Sequence, residues 1–378
     1  MHTPIYFDNA ATTFPKPQTV YDAAALAMRN AGGNPGRGGH PLARRAGEIV
    51  YHARETAAAM FGTEPENVVF TGNCTHALNL AIHGTLRQGD HVIISALEHN
   101  SVARPVAALA ERGIITYSAA PVFPDSAETL DAFASLIRPQ TRAVICTLVS
   151  NVTGQILPFR EIAALCRSHG LRFIADGAQA CGVIPVTLAD GMDLLCTAGH
   201  KGLFGLMGTG MLLSRGTVPL TPLMQGGTGS LSNSLRQPDF LPDALEAGTV
   251  NVPGIASLDA GMQFVQRFGI SHIFAHESAL CEQVISGLRK IPGITVFRHA
   301  DADYAPVVSF VHERIPAPEI GEQLAARGFC VRAGIHCSPL AHSSLGTETY
   351  GTVRFAPSVM NRPQEAEHFV RAVRQIVQ

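Results

Sequence analysis

What this 378-residue chain lacks narrows its function before any motif is considered. It has no run of lysine or arginine and a formal net charge of -2, so it carries no basic stripe of the kind that follows a nucleic-acid backbone. No apolar stretch approaches the roughly 18 to 20 residues needed to cross a bilayer, and the opening MHTPIYFDNAATT has no basic segment followed by an apolar run. Nucleic acid and membrane are therefore poor candidate partners, and a cytoplasmic location is expected. The eight cysteines form no C-x-x-C pair and, in a reducing compartment, most read as small buried hydrophobes. H-E-x-x-H, Walker A and G-x-S-x-G are also absent, as are internal repeats and low-complexity segments.

What is present points to a large core. Hydrophobic residues make up 46% of the chain and charged residues 15%, and the length favours one large domain plus a smaller one. From about residue 15 to 255, short apolar runs alternate with helical periodicity, the pattern of an α/β domain with a mainly parallel sheet. Strands are expected at Val68–Thr71, His91–Ser95, Ala143–Val149, Arg172–Asp176 and Asp193–Thr197. Helices are expected at Leu42–Phe61, Thr75–Leu86, Ser101–Arg112 and Phe159–His169, where apolar residues recur at three- and four-residue steps. After a Pro/Gly/Ser-rich passage from Pro219 to Pro242, two helices and four short strands read as an α+β unit. The expected division is a large domain over 15–260 and a small one built from 1–14 and 261–378.

Four stretches could carry chemistry. Thr71–Asn79 follows a strand and opens a helix, so its N–H groups suit a phosphate monoester; an ordinary cap by Asn73 or Thr75 explains it equally well. Asp176 ends a very apolar run, where a carboxylate is costly without a positive partner such as a protonated pyridine nitrogen; capping the next helix is the plainer role. Lys201 lies among glycines in an apolar neighbourhood, where desolvation makes an amine nucleophilic, against the generic alternative of a surface lysine. Asp176 and Lys201 follow consecutive strands and so share one rim of the sheet. Finally, Cys337 sits in a glycine- and proline-punctuated loop flanked by His336, His342 and Arg332, cations of which would favour its thiolate. Zinc fits neither the ligand count nor the spacing there. The punctuation also suggests a mobile loop.

Together these stretches resemble the class V aminotransferase group of pyridoxal-phosphate enzymes, most closely its cysteine desulfurase and selenocysteine lyase branch. The likeness runs in family order through Asp8–Thr12, 37–40 (Arg-Gly-Gly-His), Thr71–Asn79, Glu98–Asn100, Ser150–Gly154, Asp176–Gln179, Gly199–Lys201, Glu246–Thr249, the Cys337 loop and 353–361. It implies a fold-type I architecture with a mainly parallel, seven-stranded-type sheet and pyridoxal 5'-phosphate as cofactor. Lys201 would bond the cofactor covalently, Asp176 pair with its ring nitrogen, Gln179 donate to its phenolic oxygen and His99 lie over the ring and take part in proton transfer. The resemblance assigns the phosphate to Cys74, Thr75 and His200, with Thr249 arriving from a second subunit, hence a homodimer. Arg354 would hold the substrate carboxylate, with Asn151 near that carboxylate and the cofactor oxygen and His336, Arg37 and His40 also on the substrate side; a structural salt bridge is the plainer role for Arg354.

The implied reaction moves sulfur from L-cysteine to Cys337, leaving alanine and a persulfide for an acceptor protein. L-selenocysteine is the alternative substrate, and a transaminase or other lyase that ignores Cys337 is the alternative chemistry. A silent cofactor-binding protein is disfavoured because nearly every expected residue is present. Two departures stand out. Ala198 replaces a usual hydroxyl residue, with Thr197 beside it offering a substitute, and the run Arg354–Asn361 replaces the usual Arg-x-Ser and aromatic-Asn pattern.

Overall fold

The computed structural model describes residues 4–36, 38–216 and 218–378. In chain order the strands are β1 (Ile5–Tyr6), β2 (Val68–Thr71), β3 (His91–Ser95), β4 (Thr116–Ala120), β5 (Thr141–Thr147), β6 (Arg172–Asp176), β7 (Leu194–Ala198), β8 (Gly210–Ser214), β9 (Ile294–Val296), β10 (Val308–His312), β11 (Phe329–Cys330), β12 (Arg332–Gly334) and β13 (Thr352–Phe355). The helices are α1 (Gln18–Asn30), α2 (Pro41–Phe61), α3 (Cys74–Thr85), α4 (Asn100–Glu111), α5 (Ser126–Ser135), α6 (Phe159–Ser168), α7 (Val252–Phe268), α8 (Ile270–Leu288), α9 (Ala317–Ala326), α10 (Pro339–Leu345) and α11 (Pro363–Val377).

The expected parallel sheet is there. Its seven strands run in the order β2-β8-β7-β6-β5-β3-β4, parallel except for β8, which is antiparallel to both neighbours. The central strands are largely apolar and, apart from Arg172 at the start of β6, buried, because helices cover both faces. Side chains alternate between those faces: Ile174, Leu194 and Cys196 pack toward α3 and α4, while Phe173, Ala175 and Leu195 pack toward α2, α6 and α7. The parallel strands β3, β5, β6 and β7 therefore end on one rim, at Ser95, Thr147, Asp176 and Ala198.

A second core lies beyond α7. The antiparallel sheet β12-β13-β10-β9 packs against α8, α9 and α11 through an aromatic cluster of Phe7, Phe310, Phe329, Phe355 and Phe369. Phe7 joins this core from the start of the chain, held there because β1 pairs with β11. Residues 329–334 divide between two sheets: β11 pairs with β1 and β12 with β13. No helix of the described residues is long and apolar enough to cross a membrane.

Candidate active site

The rim of the large sheet carries the first half of the site. Asp176 is 3% exposed at the end of β6, and its Oδ1 accepts from the Ala178 N–H (2.9 Å) and faces the Cys74 thiol (3.5 Å). The local turn bond is the plainer role expected for it, yet no cation of the described residues forms an ion pair with it. A buried carboxylate with no ionic partner is expensive, so the position suits a cationic ligand atom. Burial, and then the Asp176 charge, pushes the Cys74 thiol far up, so it stays protonated. Lys201 follows β7 by way of Gly199, where an added Cβ would sit 2.2 Å from Thr209 Oγ1. Its Nζ makes no hydrogen bond or ion pair among the described residues, and burial lowers its pKa against the opposing pull of Asp176 and Cys74.

The start of α3 closes the same rim. Asn73 caps the helix through the His76 N–H (2.8 Å), leaving the Cys74 and Thr75 N–H groups without acceptors. Thr75 Oγ1 lies 2.7 Å from Ser101 Oγ, which lies 2.7 Å from His99 Nδ1. Nδ1 also accepts the Ser101 N–H (3.0 Å), an arrangement that assigns the ring proton to Nε2. Desolvation lowers the pKa of His99 to about 4, Asp176 raises it, and Lys201, Arg332 and Arg354 lower it further. His99 is thus the point at which charges from both sheets meet.

The Cys337 loop supplies the second half. It spans only residues 335–338 between β12 and α10, and His336 and Cys337 both take left-handed backbone (φ 51° and 59°). Asn151 grips both flanks: its Nδ2 donates to the His336 carbonyl (2.8 Å) and its Oδ1 accepts from Ser338 Oγ (2.6 Å). The Asn100 N–H donates to the Cys337 carbonyl (2.8 Å), fixing the loop beside His99. Three hydrogen bonds thus hold the backbone of a loop whose punctuation suggested mobility. Arg332 donates to Cys337 Sγ at 3.4 Å. The neighbouring histidines are not the cations expected: burial drives His336 down to about 2, with its Nε2 3.0 Å from the Thr352 carbonyl, and burial also lowers His342.

Arg354, 1% exposed, binds Asp8 (2.8 Å) and the Asn151 carbonyl (2.9 Å), while its Nε is buried without an acceptor. The plainer salt bridge therefore exists, and unused donors remain. Gln179 donates to the Ala10 carbonyl (2.9 Å) and shares a narrow cavity with Lys201. His200 anchors the chain start through its carbonyl, while its Nδ1 is buried and unpartnered.

Other expected residues lie apart. Thr249 accepts from Asn34 (3.1 Å) and lines, with Gly72 and His76, a cavity that does not include Lys201. His40 is exposed and caps α2, and Arg37 lies outside the described residues. Thr197 does not substitute for the hydroxyl missing at Ala198: strand alternation turns it to the face opposite Cys196, Ala198 and Cys74. Ser101, Ser338 and the buried Glu98 went unremarked in the sequence as single residues, because their importance lies in contacts across the fold. Glu98 Oε1 accepts from Ser95 Oγ and the Thr147 N–H, tying the ends of β3 and β5 together beneath His99.

Comparison with known proteins gives this geometry a context. A family model described as Aminotransferase class-V matches residues 5–369. The chain is 35% identical over 386 residues to a probable cysteine desulfurase of Mycolicibacterium paratuberculosis, covering 99% of this chain and 55% of that protein. A probable cysteine desulfurase of Xylella fastidiosa is 33% identical, with 98% of this chain and 90% of the relative covered. The chain spans 55% of the length of the Mycolicibacterium protein and 62% of that of a probable cysteine desulfurase 1 of Mycobacterium leprae. The apo cysteine desulfurase of Thermococcus onnurineus superposes with a TM-score of 0.93 at 28% identity, covering 99% of this chain and 94% of that one. With a family model spanning both cores and a solved relative matching the whole architecture, the chain belongs to the class-V aminotransferase family.

Proposed function

We propose that the protein is a pyridoxal-phosphate-dependent cysteine desulfurase that takes sulfur from L-cysteine onto Cys337 and releases L-alanine. The observation that carries this reading is the clamp of Asn151 on both flanks of Cys337, with Asn100 fixing the same loop against the rim that bears His99. A cysteine that is only a loop residue needs no such fixing.

The residues fit the cofactor. Asp176 is a buried acid with no ionic partner for a ring nitrogen, and the free N–H groups of Cys74 and Thr75 with the unpartnered His200 ring suit a phosphate. Lys201, with its lowered pKa, is the amine for a covalent bond, and Gln179 stands beside it. When bound, the cofactor supplies an electron sink for the pair released at the substrate Cα. Thr249 belongs, in this reading, to the site of a second subunit in a homodimer. The division into 15–260 and 1–14 with 261–378, and a cytoplasmic setting, are part of the same proposal; separate cores and eight free cysteines support them.

The chain's own residues have distinct tasks. Arg354 and Asn151 orient the substrate carboxylate, the guanidinium offering its remaining donors as a planar fork. His99 holds a proton on Nε2 beside the reacting atoms. The Cys337 thiolate attacks the substrate sulfur; an S–S bond forms as the carbon–sulfur bond breaks, and the electron pair left on carbon takes a proton to give alanine. The test is incubation of the cofactor-loaded protein with L-cysteine and a thiol reductant, assaying alanine and sulfide for wild type and Cys337→Ala. Alanine from wild type and little from the variant is expected. Equal alanine from both, or 3-mercaptopyruvate with pyridoxamine phosphate, would overturn the reading in favour of a lyase or a transaminase.

A further inference from the structure

The strands β12 and β13 place Arg332 directly opposite Arg354. Like charges facing each other across a strand pair are destabilising, so both guanidinium groups require an account. Arg354 has one: Asp8 Oδ1 neutralises it at 2.8 Å. Arg332 has none. No carboxylate of the described residues pairs with it, and its one side-chain hydrogen bond among them, from NH2, goes to Cys337 Sγ at 3.4 Å. The other groups that might have faced the sulfur with positive charge are neutral, since His336 is pushed down to about 2 and His99 to about 4. The backbone that carries the sulfur is fixed on the same side, since Asn151 and Asn100 bond to the loop at three points and His336 and Cys337 both take left-handed backbone.

We propose that Arg332 is the counter-ion of the sulfur anion on Cys337 and acts twice in each sulfur transfer. This rests on the desulfurase reading for its second part only. In the first action the guanidinium stabilises the free thiolate, the form of cysteine that attacks. In the second an acceptor thiolate attacks the outer sulfur of the Cys337 persulfide: a new S–S bond forms to the acceptor, the bond to Cys337 Sγ breaks, and Sγ leaves with the electron pair. A leaving thiolate that is better stabilised departs faster, so Arg332 also sets the rate at which sulfur is handed on.

The test is alkylation of Cys337 by iodoacetamide, followed by peptide mass, in cofactor-loaded wild type, Arg332→Gln and Arg332→Lys. At about pH 7 the Gln variant is expected to react about tenfold more slowly than wild type, the gap closing by about pH 10 where thiols ionise unaided. The Lys variant, which keeps the charge, is expected to stay within about threefold of wild type. Equal rates for Gln and wild type at pH 7, or a gap that persists at pH 10, overturn the proposal, the latter by showing a steric effect. Should the Gln variant fail to fold, the Lys variant decides: a rate as much as tenfold below wild type at pH 7 is the overturning result. The assay uses no turnover, so it stands even if alanine formation proves independent of Cys337, an outcome that would sink the desulfurase reading alone.

Discussion

The two halves of the candidate site are built in opposite ways. Around Asp176 and Lys201, position comes from backbone: parallel strands end in register, alternation chooses the face, and Gly199 lets the Lys201 turn close against Thr209. Around Cys337, position comes from side chains that reach across the fold, above all Asn151, with the backbone held in a conformation that non-glycine residues seldom adopt. At the rim, removing a side chain should take away chemistry and leave geometry. At the loop, removing a supporting side chain should take away geometry and leave the reactive group.

Lys201→Ala puts the first half of that contrast under the greatest strain. Alanine formation is expected to fall by at least on the order of 10³-fold, with cofactor absorbance lost on dialysis. Iodoacetamide labelling of Cys337 should stay within about twofold of wild type, because no hydrogen bond from Lys201 Nζ supports the loop. Impaired labelling would show that the halves are one mechanical unit and break the comparison.

Asn151→Ala tests the other half. Both flanking bonds disappear together, and alanine formation should drop on the order of 10²-fold, as expected for a reacting atom displaced by about 1 Å. Cofactor absorbance should survive, since Asp176, Lys201 and the start of α3 make no hydrogen bond to Asn151. Loss of absorbance in this variant would count against the division.

The same contrast explains what was legible in the sequence. The core strands β2, β3 and β6 were read to the residue, and α2, α3, α4 and α6 within about one residue at each end, because apolar periodicity is local information. The edge strand β4 has mostly exposed side chains and no alternation, so it left no signal; β8 follows a glycine turn and is recognisable only by its antiparallel pairing. α1 exposes Leu26 and Met28, which blurs its amphipathic stripe. Asp176 and Lys201 could be placed on one rim by strand order alone. The neutrality of His336 and the grip of Asn151 on Ser338 could not, since each depends on residues more than a hundred and eighty positions away or on burial that composition does not reveal.

Beneath the rim, Glu98 offers a smaller effect that is read in stability. Burial pushes its carboxyl up to about 8, the Asp176 charge adds to the rise, and bonds from Ser95 and the Thr147 N–H oppose it. An acid raised from 4.5 holds its proton in the folded state where the unfolded chain has lost it. Its contribution is therefore complete below about 4.5 and is lost as pH rises through about 8. Above about pH 7, where the buried neutral histidines no longer add stability with rising pH, the Tm should fall toward about pH 9, and Glu98→Gln should flatten that decline while Glu277, also raised to about 8 by burial, keeps part of it. An unchanged slope in the variant would show that Glu98 ionises without cost.

The smallest expected effect is a gain. Ala198 ends β7 on the face shared with Cys74, the side on which the Cys74 and Thr75 N–H groups lack acceptors, whereas Thr197 faces the opposite core. The rim is fixed by backbone, so a hydroxyl added there should arrive already aimed, without reorganising its neighbours. One further hydrogen bond to a phosphate is worth about threefold to tenfold in affinity. Ala198→Ser is thus expected to slow cofactor loss by about that factor in a dilution experiment followed by absorbance, with Cys337 labelling unaltered. Thr197→Val, made in parallel, should leave cofactor loss unchanged because its side chain points away. If Thr197→Val loosens the cofactor and Ala198→Ser does nothing, strand alternation does not govern this rim, and the half of the site said to be fixed by backbone is held by side chains after all.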